Sequence, residues 1–172
     1  MTTIIVGTGV LAIVAAQQAY HQKNEWSMRA NTGMLLANEI RELTISLPLH
    51  DPIGGNSNIG PEENEGDVAA YDDVDDFGGP LNSDGFGQGT TIEPPIDALR
   101  QRKETMERWS QHVEVQRLSP EEIDASEPLA WEEDSTVDVE VARVTVTVRY
   151  QGPNMDQPRG VTELTWVVTE KL

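Results

Sequence analysis

The chain has no cysteine among its 172 residues. That excludes a disulfide framework, thiol catalysis, thiolate metal sites and attachment of c-type haem. Histidine is almost as scarce: His21, His50 and His112 are the full set, and none sits at the spacing of a metal or nucleophile motif. Each reads as a boundary or surface residue, and the sequence gives no support for an enzyme. Basic residues are few, 12 against 30 acidic ones, for a net charge of −18. A surface of that sign repels phosphates and anionic headgroups, so nucleic acid is not an expected partner. The abundance of carboxylates also makes any single pair uninformative as a glycosidase signature. Long apolar runs are absent except at one end, where the first twenty residues carry no charged side chain at all.

That run defines the organisation. As a helix, residues 1–20 rise roughly 30 Å, about one hydrocarbon thickness, and are expected to form a transmembrane or filament-core segment. The many β-branched residues favour a strand locally, but no strand in a small domain runs twenty residues unbroken. Thr8, Ala12 and Ala16 form a small-residue stripe of the kind that lets apolar helices approach closely, and with Ile4, Ile5 and Leu11 they make the expected assembly face. Gly7-Thr8-Gly9-Val10-Leu11-Ala12 also matches a dinucleotide fingerprint. The acidic-tipped second strand that this chemistry requires about twenty residues later is missing, so a nucleotide site is not expected. The segment differs from a secretory signal in having no basic region before it and, in Ala15-Ala16-Gln17, only a poor cleavage site. Lys23 and Arg29 just after it would hold the rest of the chain in the cytoplasm unless a basic leader had preceded Met1.

Residues 21–47 contain no proline and place Trp26, Ala30, Gly33, Met34, Ala37, Ile40 and Leu47 at helical spacing, an amphipathic continuation stopped by Pro48. The combined helix is about 45 residues, on the order of 65 to 70 Å. Residues 48–95 follow as an acidic loop region rich in Gly, Pro and Asp. From Asp51 to Glu140 there are 24 acidic and 5 basic residues, which accounts for essentially all of the charge. Residues 96–172 read as an antiparallel sheet head. It is expected to open with a short helix near 96–108, with Ile96, Leu99, Met106 and Trp109 buried. A strand over His112–Leu118 should turn Val113 and Val115 inward. A hairpin should follow, with Val144, Val146, Val148 and Tyr150 on one arm and Leu164, Trp166 and Val168 on the other. Val137, Val139 and Val141 have the opposite parity, which calls for a bulge or turn near Ala142. Trp109, Trp131 and Trp166 read as core or interface anchors. The fold class is α+β, a long N-terminal helix packed on a small C-terminal antiparallel sheet.

The acidic loop holds the one candidate ligand site. Asp72, Asp73, Asp75, Asp76 and Asp84, interleaved with glycines, are hard oxygen donors on pliable backbone, the set that calcium prefers. With Asp73 as position one of an EF-hand-like loop, Asp75 falls at three, Gly78 at six and Asp84 at twelve, but Phe77 at five cannot ligate. The competing reading is a solvated acidic loop.

This order of parts resembles the type IV pilin-like proteins, including the pseudopilins of type II secretion. TGMLLANEIREL, with Leu36, Ala37, Ile40 and Glu42, is similar to a stretch common in minor pilins. YDDVDDFGG, RVTVTVRY and LTWVV are similar to a subgroup associated with planctomycete-type bacteria. The resemblance implies a pilin-like fold and a single-pass protein of the bacterial cytoplasmic membrane with its head outside the cytoplasm. It implies assembly into an extracellular or periplasmic filament through the N-terminal helix. The implied partners are copies of the chain or related subunits, the inner-membrane assembly machinery, and the bilayer before assembly. It also implies a structural calcium ion, which major pseudopilins use to hold their C-terminal loop. With Met1 as the mature start, Ile5 stands where such proteins usually carry a glutamate, which points to an accessory subunit or to a numbering that does not begin at the cut. The alternative is a membrane-anchored acidic head that binds calcium or a protein partner without polymerising.

Overall fold

The structure is a computed structural model that describes residues 2–51, 60–63, 65–119, 129–131 and 141–169, with side chains described from Ile13 onward. It is an α+β arrangement: one long helix followed by a four-stranded antiparallel sheet. The helix, α1, runs Thr2–Ser46, ending two residues before Pro48 as its ring requires. The chain divides into two compact units, residues 1–32 and 33–172.

Within residues 33–172, the last turns of α1 supply the helical layer. Gly33, Leu36, Ala37, Ile40, Leu43 and Thr44 are buried, a stripe at spacings of three and four. The expected stripe was partly misplaced. Ala37, Ile40 and Gly33 are on it, but Trp26 is 67% exposed and Met34 45% exposed, while Leu36 and Leu43 take the inward positions.

The sheet comprises β1 (Thr90–Ile92), β2 (Trp109–Leu118), β3 (Val141–Tyr150) and β4 (Arg159–Thr169), in that spatial order. Each strand pairs with the next, as chain connections without crossovers dictate. Register sets the buried face: Val113 opposes Val146 and Val115 opposes Val144, and on the next ladder Val146 opposes Leu164 and Val144 opposes Trp166. Val113, Val115, Val144, Val146 and Val148 are buried, with Leu164, Trp166 and Val168 partly buried against them. The alternation read from the sequence is therefore the alternation that packs. No bulge occurs at Ala142, which pairs in register with Val168; the irregularity lies between Val148 and Arg149, where Val161 is the extra residue of β4. Val137 and Val139 lie outside the described residues.

The expected helix over 96–108 does not form. Asp97 presents its carboxylate to the backbone N–H groups of Leu99 and Gln101, both at 2.9 Å, and Arg100 adopts φ +63°. A side chain that competes for the first amide donors diverts the backbone into a turn. What remains is an irregular loop with a bridge between Ile96 and Arg102 and one 3-10 turn, Glu104–Met106. Ile96 and Trp109 are buried as expected and Met106 packs on the core, but Leu99 is 77% exposed.

The acidic loop is fastened beneath this frame. Val74 N–H donates to the Pro48 carbonyl (3.0 Å) and Asp75 N–H to that of Leu49 (3.2 Å). Val74 and Phe77 enter the core, Phe77 meeting Tyr71 edge-to-face with centroids 5.2 Å apart. The 3-10 turn Asp75–Gly78 lies on β2, so close that a β-carbon on Gly78 would stand 3.3 Å from Val115 Cβ.

Candidate metal centre in the acidic loop

The turn over 72–78 closes on its own carboxylates. Asp76 N–H donates to Asp73 Oδ1 (3.1 Å), while the N–H groups of Asp72 and Asp73 donate to Asp76 Oδ2 at 3.1 and 3.3 Å. Asp73 and Asp76 thus cap each other's backbone. The exchange uses one oxygen of each. Among the described residues, Asp73 Oδ2 and Asp76 Oδ1 are buried with no hydrogen-bond partner, although both residues are 0% exposed. A buried carboxylate oxygen with nothing to accept from is costly, and native structures contain few.

Two groups of carboxylates converge here. Asp72, Asp73 and Asp76 bring one oxygen each within 4.8 Å of one another, and so do Glu62, Glu65 and Asp76. Asp76 belongs to both. Glu62 and Glu65 come from a tight turn in which Glu65 N–H donates to the Glu62 carbonyl (2.9 Å) and Glu62 N–H to Glu65 Oε2 (3.2 Å). Glu62 Oε1 is a third buried oxygen without a partner.

The electrostatics follow from crowding. Burial, reinforced by the neighbouring Asp75, pushes the Asp73 carboxyl up to about 8. Burial, reinforced by Asp73, does the same to Asp76, also to about 8. Glu62 rises to about 7, first through a shared hydrogen bond with Glu65 and then through burial. Asp72 is raised in the same direction by burial and by Glu65. Among the described residues, no lysine or arginine forms an ion pair with any of the five. Asp73, Asp76 and Glu62 hold protons near neutrality or require a cation.

The residues expected to ligate divide three ways. Asp72, Asp73 and Asp76 are brought together. Asp75 is not among them: it is buried and committed to the His50 imidazole Nδ1, with its other oxygen accepting from Gly60 N–H at 2.6 Å. Asp84 lies in a separate exposed turn, where its N–H donates to Asn82 Oδ1 (2.9 Å). The EF-hand count fails for the same reason, since Phe77 at position five is a core residue. His50, read from the sequence as a boundary residue, is in fact buried, stacked edge-on against Trp131 at 5.5 Å. Glu62 and Glu65 were missed. Their signal was a pair of glutamates three apart beside Pro61, ten residues before the aspartates.

No known protein family, curated protein or solved structure matches the chain. The residues themselves carry the functional reading.

The expected assembly face lies at the other end. Ala16 is exposed, whereas the side chains of Ile4, Ile5, Thr8, Leu11 and Ala12 lie outside the described residues. Every described side chain from Ile13 to Met28 is exposed, including Ile13, Val14, Tyr20, Trp26 and Met28. Among the described residues, no helix is long and apolar enough to cross a membrane.

Proposed function

We propose that this chain is a structural subunit of a type IV pilus-like filament or a type II secretion pseudopilus, assembling through its N-terminal helix. The observation that carries this reading is the exposure of apolar side chains from Ile13 to Met28 on a helix whose later turns are packed on a sheet. Exposed apolar surface of that extent calls for a cover. Gln17, Gln18 and His21 lie within the same stretch and favour packing against other protein over full exposure to lipid. The helix is held in the cytoplasmic membrane with the head outside. It then leaves the bilayer, aided by the inner-membrane assembly machinery, to pack against copies of itself or related subunits. Its work is assembly rather than turnover.

Electron microscopy of material sheared from producing cells, with mass spectrometry of the N-terminus, tests this. Filaments that contain the chain, with a methylated first residue, are the expected result. A chain that stays in the membrane fraction, unmethylated and without filaments, establishes the simpler anchored head instead.

A further inference from the structure

We propose that the acidic loop binds calcium at Asp76, which forms one carboxylate triad with Asp72 and Asp73 of its own turn and a second with Glu62 and Glu65 of the preceding one. Three observations carry it. The first is spacing. Oxygens bound to one calcium at about 2.3 to 2.6 Å can stand no more than roughly 5 Å apart, and within each of the two triads that share Asp76 the oxygens lie within 4.8 Å of one another. The second is the pair of wholly buried aspartates whose outer oxygens have no partner. A solvated acidic loop would leave such oxygens in water; here the protein has paid for their burial without a donor. The third is the donor chemistry, which is all carboxylate, with no nitrogen or sulfur, on irregular backbone. That suits a large hard cation with a flexible shell better than magnesium, which demands a strict octahedron, or zinc, which favours nitrogen and sulfur.

Asp73 and Asp76 reserve one oxygen each for the backbone and leave the other for the ion. This is the division of labour of a built ligand set. An ion in the triad of Glu62, Glu65 and Asp76 joins those two glutamates to the turn over 72–76, which is already fixed to the core through Val74 and Phe77 and to β2 through Gly78. Calcium therefore fastens a loop of the head to its sheet. The site precedes the sheet in the chain and stands independently of how the helix assembles.

The test is calorimetric titration of calcium chloride into the full chain in detergent micelles after treatment with EDTA, paired with thermal unfolding. Expected are saturable binding and a higher unfolding temperature with calcium. Asp73→Asn and Asp76→Asn should weaken binding at least tenfold, and Asp84→Asn, outside both groups, should leave it unchanged. Asp72→Asn keeps the test decisive if a buried variant fails to fold, because Asp72 is exposed and should still weaken binding. Absence of binding by the native chain overturns the proposal. So does equal loss in Asp84→Asn, and an equal response to magnesium overturns the choice of calcium.

Discussion

Gly33 of α1 lies against Thr162 of β4 so closely that a β-carbon on the glycine would stand 2.7 Å from Thr162 Oγ1 and 3.1 Å from its Cβ. Helix and sheet meet here without an intervening side chain. In an open helix, Gly→Ala gains up to about 1 kcal/mol. At this contact the overpacking penalty of about 1 to 3 kcal/mol exceeds that gain. Gly33→Ala is expected to destabilise the head in chemical denaturation, and Thr162→Ala in the same chain to restore much of the loss. Additive effects in that double-mutant cycle would refute the contact.

Gln111 makes a second join. Its side-chain amide donates to the carbonyls of Leu36 (2.8 Å) and Ile96 (3.1 Å), and its oxygen accepts from Ile96 N–H (2.8 Å), all in the buried core. One side chain ties α1, the loop before β2 and β2 itself. Gln111→Leu keeps the volume but strands the Ile96 amide, so a loss of about 1 to 3 kcal/mol is expected in the unfolding free energy.

Asp75 and Asp73 are two residues apart and have opposite roles. Asp75→Ala removes the partner of a buried histidine and of Gly60 N–H, and should lower stability with and without calcium alike. Asp73→Asn removes from the metal-free site a buried carboxyl that must hold a proton in the folded state, and should raise the unfolding temperature in EDTA while abolishing the rise on adding calcium. Matched thermal melts in EDTA and in calcium distinguish the two patterns, and a uniform loss in Asp73→Asn would make that residue merely structural.

The sheet was legible because one face is buried and the other wet. Val113, Val115, Val144, Val146 and Val148 alternate with polar residues and so declare both strand and face. The helical stripe was less so. Trp26 and Met34 fit the period as well as Leu36 does, and spacing cannot tell an apolar side chain that packs within the head from one that stays exposed. The helix over 96–108 failed on one residue, Asp97, whose carboxylate captures two backbone amides. The density of aspartates marked the carboxylate cluster, but sequence proximity could not show which of them the fold brings together. Asp75 turned to His50, and Asp84 fell in another turn. Glu62 and Glu65 arrived from a separate segment, a juxtaposition that only the folded loop creates.

The metal-free site makes the pH dependence unusual. In the unfolded chain the carboxyls of Asp73 and Asp76 release their protons around 3.8, but in the folded, chelated protein burial holds them until about 8. Between those values the folded state binds protons that the unfolded state has released, so stability falls as pH rises, by up to about 1.4 kcal/mol per pH unit for each proton held. The contribution is fully present below about pH 4 and gone above about pH 8. On the proposed calcium site the logic reverses, because the ion would bind the ionised carboxylates and displace the protons, so that its affinity should climb over the same window. Unfolding temperatures in EDTA should therefore decline from pH 5 to pH 8, and saturating calcium should flatten or invert that trend. General repulsion among the acidic residues adds to the decline, but it is common to native protein and Asp73→Asn. The shallower slope expected of the variant isolates the site. Parallel slopes in the two proteins would mean that the buried pair does not hold its protons.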